Sequence, residues 1–172
     1  MKLPPDFYTQ HALTAAPSLL GKVLCHKLAD GTVLRGRINE TEAYCANDTA
    51  CHAHRGKTPR NAVMFAPGGL SYVYLCYGIH ELFNVITGAE DDPQAVLIRG
   101  VEGASGPGRA TKALQISRAH NKLDLRDSEL LWIEDDGFAP AEILTAPRIG
   151  IGSASAEDQA RLWRFFYKGA SR

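Results

Sequence analysis

Glu40-Thr41-Glu42-Ala43-Tyr44 places two carboxylates and a phenol at alternate positions. If Arg37 to Tyr44 is a strand, its period of two brings Glu40, Glu42 and Tyr44 to one face. Neighbours on such a face stand about 7 Å apart, near the separation at which one carboxylate activates a water beside a second acid. A glutamate beside an aromatic ring, partly withdrawn from water, gains basicity and suits a general base. An edge strand carrying two solvated glutamates is the plainer reading of the same residues. Tyr44 on the shared face weighs against it.

The stretch from Ile38 to Asn84 holds more that could do chemistry. Tyr72 and Tyr74 share a strand face with Cys76, whereas Tyr77 has the opposite parity and adjoins Gly78. Tyrosines in strands commonly serve packing with the hydroxyl reaching solvent. A tyrosine next to a glycine at a strand end can instead project as a wedge of the kind inserted into a base stack. Arg99 stands alone in an apolar run and is costly to bury without an anionic partner. Glu42 is the candidate partner, which makes Arg99 either an orienting group for the same water or half of a structural salt bridge. His52 and His54 with Cys45 and Cys51 invite a zinc reading. The spacing Cys-x5-Cys-His-x-His matches no common finger or ribbon and has no second ligand pair, so no metal is expected. Gly103 to Gly108 carries neither the Lys-Ser/Thr of a phosphate-binding loop nor a dinucleotide fingerprint, and no nucleophile elbow occurs; no cofactor is expected. Its glycines before a helix could offer N–H groups to one phosphate beside Arg109.

These residues need a frame. Asp6 to Leu13 has helical spacing, and Pro17 predicts a break before a turn ending at Gly21. Lys22 to Leu28 and Thr32 to Tyr44 read as a hairpin about Asp30-Gly31. Residues 45–69 read mostly as loop, a length of irregular chain that usually carries function. Leu70 to Tyr77, Phe83 to Thr87, Ala95 to Val101 and Leu130 to Glu134 are expected strands. Arg109 to Ala119 is an expected helix, Arg148 to Gly152 a tight strand or turn, and Leu162 to Lys168 a last strand. Sequential hairpins with few helices predict an α+β fold, a single domain over residues 1–172 with a mostly antiparallel sheet.

A chain of 172 residues is long enough to bury its own core. No apolar run approaches the ~20 residues of a membrane span, and Met1-Lys2-Leu3-Pro4-Pro5 lacks the apolar core of a signal peptide. A cytoplasmic protein is expected, with its four cysteines as free thiols. Net charge is zero, which disfavours a generic nucleic-acid binder. Its distribution is uneven, however. No acid falls between Asp48 and Glu81, where Arg55, Lys57 and Arg60 lie, nor between Glu102 and Asp124, where Arg109, Lys112, Arg118 and Lys122 lie. Such segregation is either two solvated faces or a local basic surface for a polyanion.

Taken together, Glu40-Thr41-Glu42-Ala43-Tyr44, His52, Thr58-Pro59-Arg60-Asn61, Met64-Phe65, Tyr72-Val73-Tyr74-x-x-Tyr77-Gly78, Asn84 and Leu97-Ile98-Arg99 resemble the vertebrate-type 3-methyladenine (alkyladenine) DNA glycosylases. The likeness continues through Gly106-Pro107-Gly108, Lys112-Ala113-Leu114, Arg148-Ile149-Gly150-Ile151-Gly152 and Arg164-Phe165-Phe166-Tyr167, nearly the whole chain. The resemblance implies a monofunctional base-excision enzyme that flips alkylated or deaminated purines from double-stranded DNA and hydrolyses the N-glycosidic bond. Carried over by position, it makes Glu42 the general base, with Arg99 and the Ile149 carbonyl holding the attacking water. Tyr44, His52 and Tyr74 would stack the flipped base, and Asn84 would obstruct the amine of normal guanine. Tyr77 would fill the gap in the duplex, and Thr58 and Arg109 would meet phosphates. It also implies a curved antiparallel sheet with peripheral helices, like the C-terminal domain of methionyl-tRNA formyltransferase, and a monomer, nucleoid-associated if bacterial. Departures from the family pattern are Arg109 for lysine, a shorter His-Ala-His-Arg-Gly-Lys loop, His80-Glu81 after the wedge, and an abbreviated link from Glu102 to Gly106. A catalytically silent binder of damaged DNA and an RNA-directed or formyltransferase-like domain are the alternatives. Lyase chemistry is disfavoured because no lysine sits in the Glu42 or Tyr74 clusters.

Overall fold

The strand that carries the two glutamates lies in the interior of a sheet, not at its edge. In the computed structural model, which describes residues 1–167, β1 (Val23–Lys27) and β2 (Val33–Tyr44) form the first hairpin. β3 (Ser71–Cys76), β4 (His80–Thr87) and β5 (Gln94–Val101) follow, with a two-residue β6 (Ala104–Ser105), β7 (Leu131–Glu134), β8 (Leu144–Ala146) and β9 (Arg164–Phe166). The main path runs β3-β4-β5-β2-β1-β7, antiparallel throughout; β6 joins β5, and β9 lies between β8 and β2. The sheet is curled into a half-barrel with few helices, an α+β arrangement.

β2 changes partners along its length, and that places the glutamates. Val33 to Arg37 pair with β1; from Ile38 onward the strand pairs with β5, and Glu40 to Glu42 also pair with β9. Glu42 is thus flanked by Leu97 on one side and Arg164 on the other. The β2–β5 ladder is irregular at two successive steps: Asn39 is extra on β2 and Arg99 is extra on β5. Such bulges re-aim side chains. Here they surround the one intermediate-burial residue of an otherwise buried β5, Arg99.

Side-chain alternation separates two packed faces. Thr41 and Ala43 look toward α1 (Ala12–Ser18), where the Thr41 hydroxyl donates to the Ala16 carbonyl at 2.9 Å. Val73, Phe83, Val85 and Val96 join them in the main core, completed by Leu19, Leu24, Leu131 and Ile133. Each such fully buried side chain contributes about 1.5–3 kcal/mol. Tyr72, Ile86 and Ala95 have the other parity and pack with Cys51, Val63 and Met64 from the 45–69 segment. That segment is the lid of the second face. It holds a 3-10 turn at Ala62–Phe65 and closes where Gly68 passes over the Tyr8 carbonyl. A Cβ on Gly68 would lie 1.9 Å from that oxygen, so only glycine fits.

Several sequence expectations were displaced. The helix expected over Asp6–Leu13 is a 3-10 turn, Pro5–Thr9, and α1 begins after it. His11 caps α1, and the buried Gln94 side chain accepts the Ala12 N–H at 2.7 Å. Pro17 lies inside α1 one residue before its end at Ser18, and the expected turn follows over Leu19 to Gly21. The helix expected over Arg109–Ala119 is α2 (Pro107–Ala113), which stops where Gln115 takes φ 52°; a Ser117-capped 3-10 turn, Arg118–His120, follows. β4 starts at His80, earlier than expected. Arg148 to Gly152 takes the turn of the two expected alternatives, with Gly150 at φ 77°. β8 and α3 (Ala156–Ala160) had no expectation. Of the last expected strand, Arg164–Phe166 is strand and Lys168 lies outside the described residues.

Candidate active site

On the second face a cavity of about 650 Å³ opens among Tyr44, His52, Tyr72, Tyr74, Asn84 and the Gly150–Ile151 loop, with Tyr77 at its rim. Three rings form a connected wall. His52 and Tyr74 have centroids 4.4 Å apart, Tyr72 and Tyr74 5.3 Å, and the Tyr72 hydroxyl meets His52 Nδ1 at 3.0 Å. Desolvation and then Arg60 push the His52 imidazole below its ordinary range, so it is neutral near pH 7. Burial raises the Tyr74 phenol, as it does Tyr44, which has Glu42 beside it as well. Both remain hydrogen-bond donors at neutral pH. Asn84 is buried beneath the wall with its amide nitrogen donating to the Tyr72 carbonyl at 3.2 Å.

Glu42 lies one layer behind. Its side chain is 0% exposed and does not line the cavity. The Tyr44 hydroxyl donates to Oε2 at 2.7 Å and the Ile149 amide to Oε1 at 2.8 Å. The sequence expectation gave Ile149 a role through its carbonyl; the contact seen is through its N–H. Arg99 Nε stands 3.2 Å from Glu40 and 3.7 Å from Glu42, buried and without a well-aligned hydrogen bond. Glu40 is also held by Arg164 at 3.0 Å. Burial raises the Glu42 carboxyl above its usual range, against the opposing pull of the Ile149 amide, Tyr44, Arg99 and Arg148. Desolvation outweighs four hydrogen-bonding and ionic aids, as expected for a base kept out of water.

One organising pair went unassigned in the sequence. Arg148 and Asp48 are both 0% exposed and form a bidentate pair; Arg148 also donates to the Ala43 carbonyl at 2.9 Å. Its guanidinium lies 4.8 Å from the Tyr44 ring centroid and 5.0 Å from that of Trp163. The loop carrying Ile149 and the loop after Tyr44 are therefore clamped together. A second clamp joins them: Asp158 accepts from the Thr49 amide, the Thr49 hydroxyl and Ser155, which pulls its carboxyl down to about 2. The visible signal was a lone arginine between Pro147 and Ile149, but nothing local pointed to Asp48, 100 residues away.

The remaining predicted residues stand outside the cavity wall. Tyr77 tips the β3–β4 hairpin, 86% exposed and at φ 51°, followed by Gly78 at φ 68° and an exposed Ile79. A non-glycine residue there is strained, a cost that clusters at functional sites. Thr58 is exposed; its hydroxyl accepts the Asn61 N–H at 3.3 Å, and its own amide donates to Asn61 Oδ1 at 2.7 Å. Asn61, buried, ties the His52 and Gly56 carbonyls at 2.9 Å each, so it shapes the loop that presents His52. Arg109 is exposed on α2, whose Gly108 backs against His80 at the hairpin base. Cys25, Cys45 and Cys51 are buried and their thiols raised to about 12, 12 and 11; Cys76 borders the cavity. Among the described residues no group of three or more His, Cys, Asp or Glu could hold a metal ion, and no helix is long and apolar enough to cross a membrane.

Comparison with known proteins adds an independent finding. The profile of a family described as methylpurine-DNA glycosylase matches residues 6–105 and 101–171. A protein of Anaeromyxobacter dehalogenans is 46% identical over 99% of this chain and 86% of its own length. One from Methanocella arvoryzae is 43% identical over 98% and 93%, and one from Borreliella afzelii 42% over 95% and 94%. All three carry the provisional name 3-methyladenine DNA glycosylase.

Proposed function

The chain belongs to the methylpurine-DNA glycosylase family, and on that premise we propose that it excises alkylated or deaminated purines from double-stranded DNA, using Glu42 to activate the attacking water. The observation that carries this reading is a ring-walled cavity of about 650 Å³ backed by a fully buried, arginine-assisted carboxylate. That volume is within the range of small-ligand sites and suits an extruded base. Extrusion costs a few kcal/mol, least for damaged or mispaired bases.

In this reading Tyr44, His52 and Tyr74 hold the flipped ring. An alkylated purine such as 3-methyladenine or 7-methylguanine is cationic and gains attraction from the tyrosine faces that normal bases do not. Asn84, at the base of the wall, discriminates against an exocyclic amine. Glu42 takes the proton of a water that attacks the sugar carbon as the glycosidic bond breaks. Its negative charge, with Arg99 orienting the water, offsets the positive charge developing on the sugar. The Ile149 segment positions the carboxylate through its amide. Tyr77 occupies the gap in the stack, and Thr58 and Arg109 meet the phosphate backbone. The protein works as a monomer and a single domain without metal or cofactor, on a fold like the C-terminal domain of methionyl-tRNA formyltransferase.

The test is base release from duplexes carrying 3-methyladenine, 7-methylguanine, hypoxanthine or ethenoadenine. Release of at least one, leaving an abasic site and no strand nick, is expected; release of none would refute the reading.

A further inference from the structure

The two oxygens of Glu42 are held differently. Oε1 takes the Ile149 N–H at 2.8 Å with Arg99 Nε at 3.7 Å. Oε2 has a single partner among the described residues, the Tyr44 hydroxyl at 2.7 Å. Tyr44 borders the cavity, whereas Glu42 does not and is 0% exposed. The hydroxyl therefore stands between the carboxylate and the space where a substrate would lie. Its ring is pressed from one side by the Arg148 guanidinium, 4.8 Å from the centroid, and Arg148 is pinned by Asp48. The ring is thus backed by a fixed cation, and the hydroxyl is the part free to exchange one acceptor for another.

We propose that the Tyr44 hydroxyl is a latch on Glu42: it occupies the carboxylate oxygen nearest the cavity and yields that place to the reacting water once a nucleobase settles against the ring. This rests on the reading of Glu42 as the base. Tyr44 is then a positioning residue as well as a wall. The latch keeps the base satisfied, and so inert, while the cavity is empty. A buried carboxylate oxygen without a donor is costly, so the exchange is driven by the water's own hydrogen bond.

The groups facing Glu42 are Glu40 and Tyr44 on β2, Arg99 on β5, Ile149 and Arg148 on the loop after β8, and Tyr74 on β3; Arg164 on β9 acts through Glu40. The hydroxyl donates to the ionised form and so favours it. Tyr44→Phe keeps the ring and deletes only that donor. Its loss raises the Glu42 carboxyl further, and the acid limb of single-turnover excision moves to higher pH, by about one unit for a charge-assisted hydrogen bond. Above that limb the rate rises at least twofold, because Oε2 is open to water from the start. Carbon-13 NMR titration of the Glu42 carboxyl in the DNA-free variant gives a readout independent of turnover, with the same upward shift expected. An acid limb and titration that do not move, or a plateau rate below that of the unaltered protein, would overturn the latch. Glu42→Gln, run in parallel, separates the two claims: retained turnover there removes Glu42 as the base, whereas its loss with an unmoved Tyr44→Phe profile removes only the latch.

Discussion

The floor and the rim of the cavity treat charge in opposite ways. On the floor, Glu40, Glu42, Arg99, Arg148 and Asp48 are buried or nearly so, each within salt-bridge distance of another. On the rim, Arg55 and Arg60 are exposed and make no ion pair among the described residues, as is true of Arg109 on α2, and Tyr77 is exposed at a strained hairpin tip. The distal end of the sheet resembles neither: there Lys22, Arg35 and Arg37 each hold a carboxylate at the surface. In a chain of zero net charge, the cations beside the cavity thus stand without carboxylate partners among the described residues, as Lys27 on β1 also does. Buried pairs fix geometry at a desolvation cost, while free surface cations attract polyanions and lose that attraction with salt. In the proposed function, chemistry belongs to the floor and affinity to the rim.

Variants that attack one region and spare the other test that division. The largest effect is expected from Glu42→Gln, which should cut single-turnover base release by about 10²–10⁴-fold while a gel-shift assay still detects lesion-duplex binding. The same variant changes stability with a definite sign. Because the Glu42 carboxyl is raised in the folded state, the native chain binds the extra proton, and its stability relative to Glu42→Gln falls as pH rises from the unfolded value near 4.5 through the folded value. Urea melts at a series of pH values would read this, and a difference independent of pH would contradict it. Next comes Arg148→Met, which leaves Asp48 buried without a counterion and should cost about 3–5 kcal/mol in a urea melt. A loss under 1 kcal/mol would show that the clamp is not structural.

Rim variants should leave the melt alone. Tyr77→Ser should weaken lesion-duplex binding about tenfold with the midpoint unchanged, since the ring touches little of its own protein. An unchanged binding curve would deny it the wedge role. The smallest effect is Arg109→Ala, expected to reduce the slope of log K against log salt by about 0.9 if it meets one phosphate. A slope equal to that of the unaltered protein would remove Arg109 from the interface.

Much of the frame was legible because it depends on local pattern. The β1–β2 hairpin, the strand containing Glu40, Glu42 and Tyr44, and the projecting Tyr77-Gly78 turn all announce themselves by alternation and turn chemistry. The common face of Glu42 and Tyr44 follows from period two alone. What stayed hidden was set by distance along the chain. Arg148 and Asp48 are neighbours only after folding, and β8 is too short to stand out from its flanks. Whether Glu42 lies on the cavity surface or behind it depends on the Tyr44 rotamer, which no periodicity encodes. Pro17, by contrast, marked the end of α1 to within one residue.

β9 carries a consequence for how the molecule comes into being. Residues 164–166 are the last strand of the described chain, yet they shield the very segment, 40–42, laid down in its first quarter. During synthesis those early acids must wait, unsheltered on one flank, until more than a hundred further residues have left the ribosome. Newly made chains are therefore unarmed until late, and one cut short before residue 164 would be disarmed at its centre rather than trimmed at its margin.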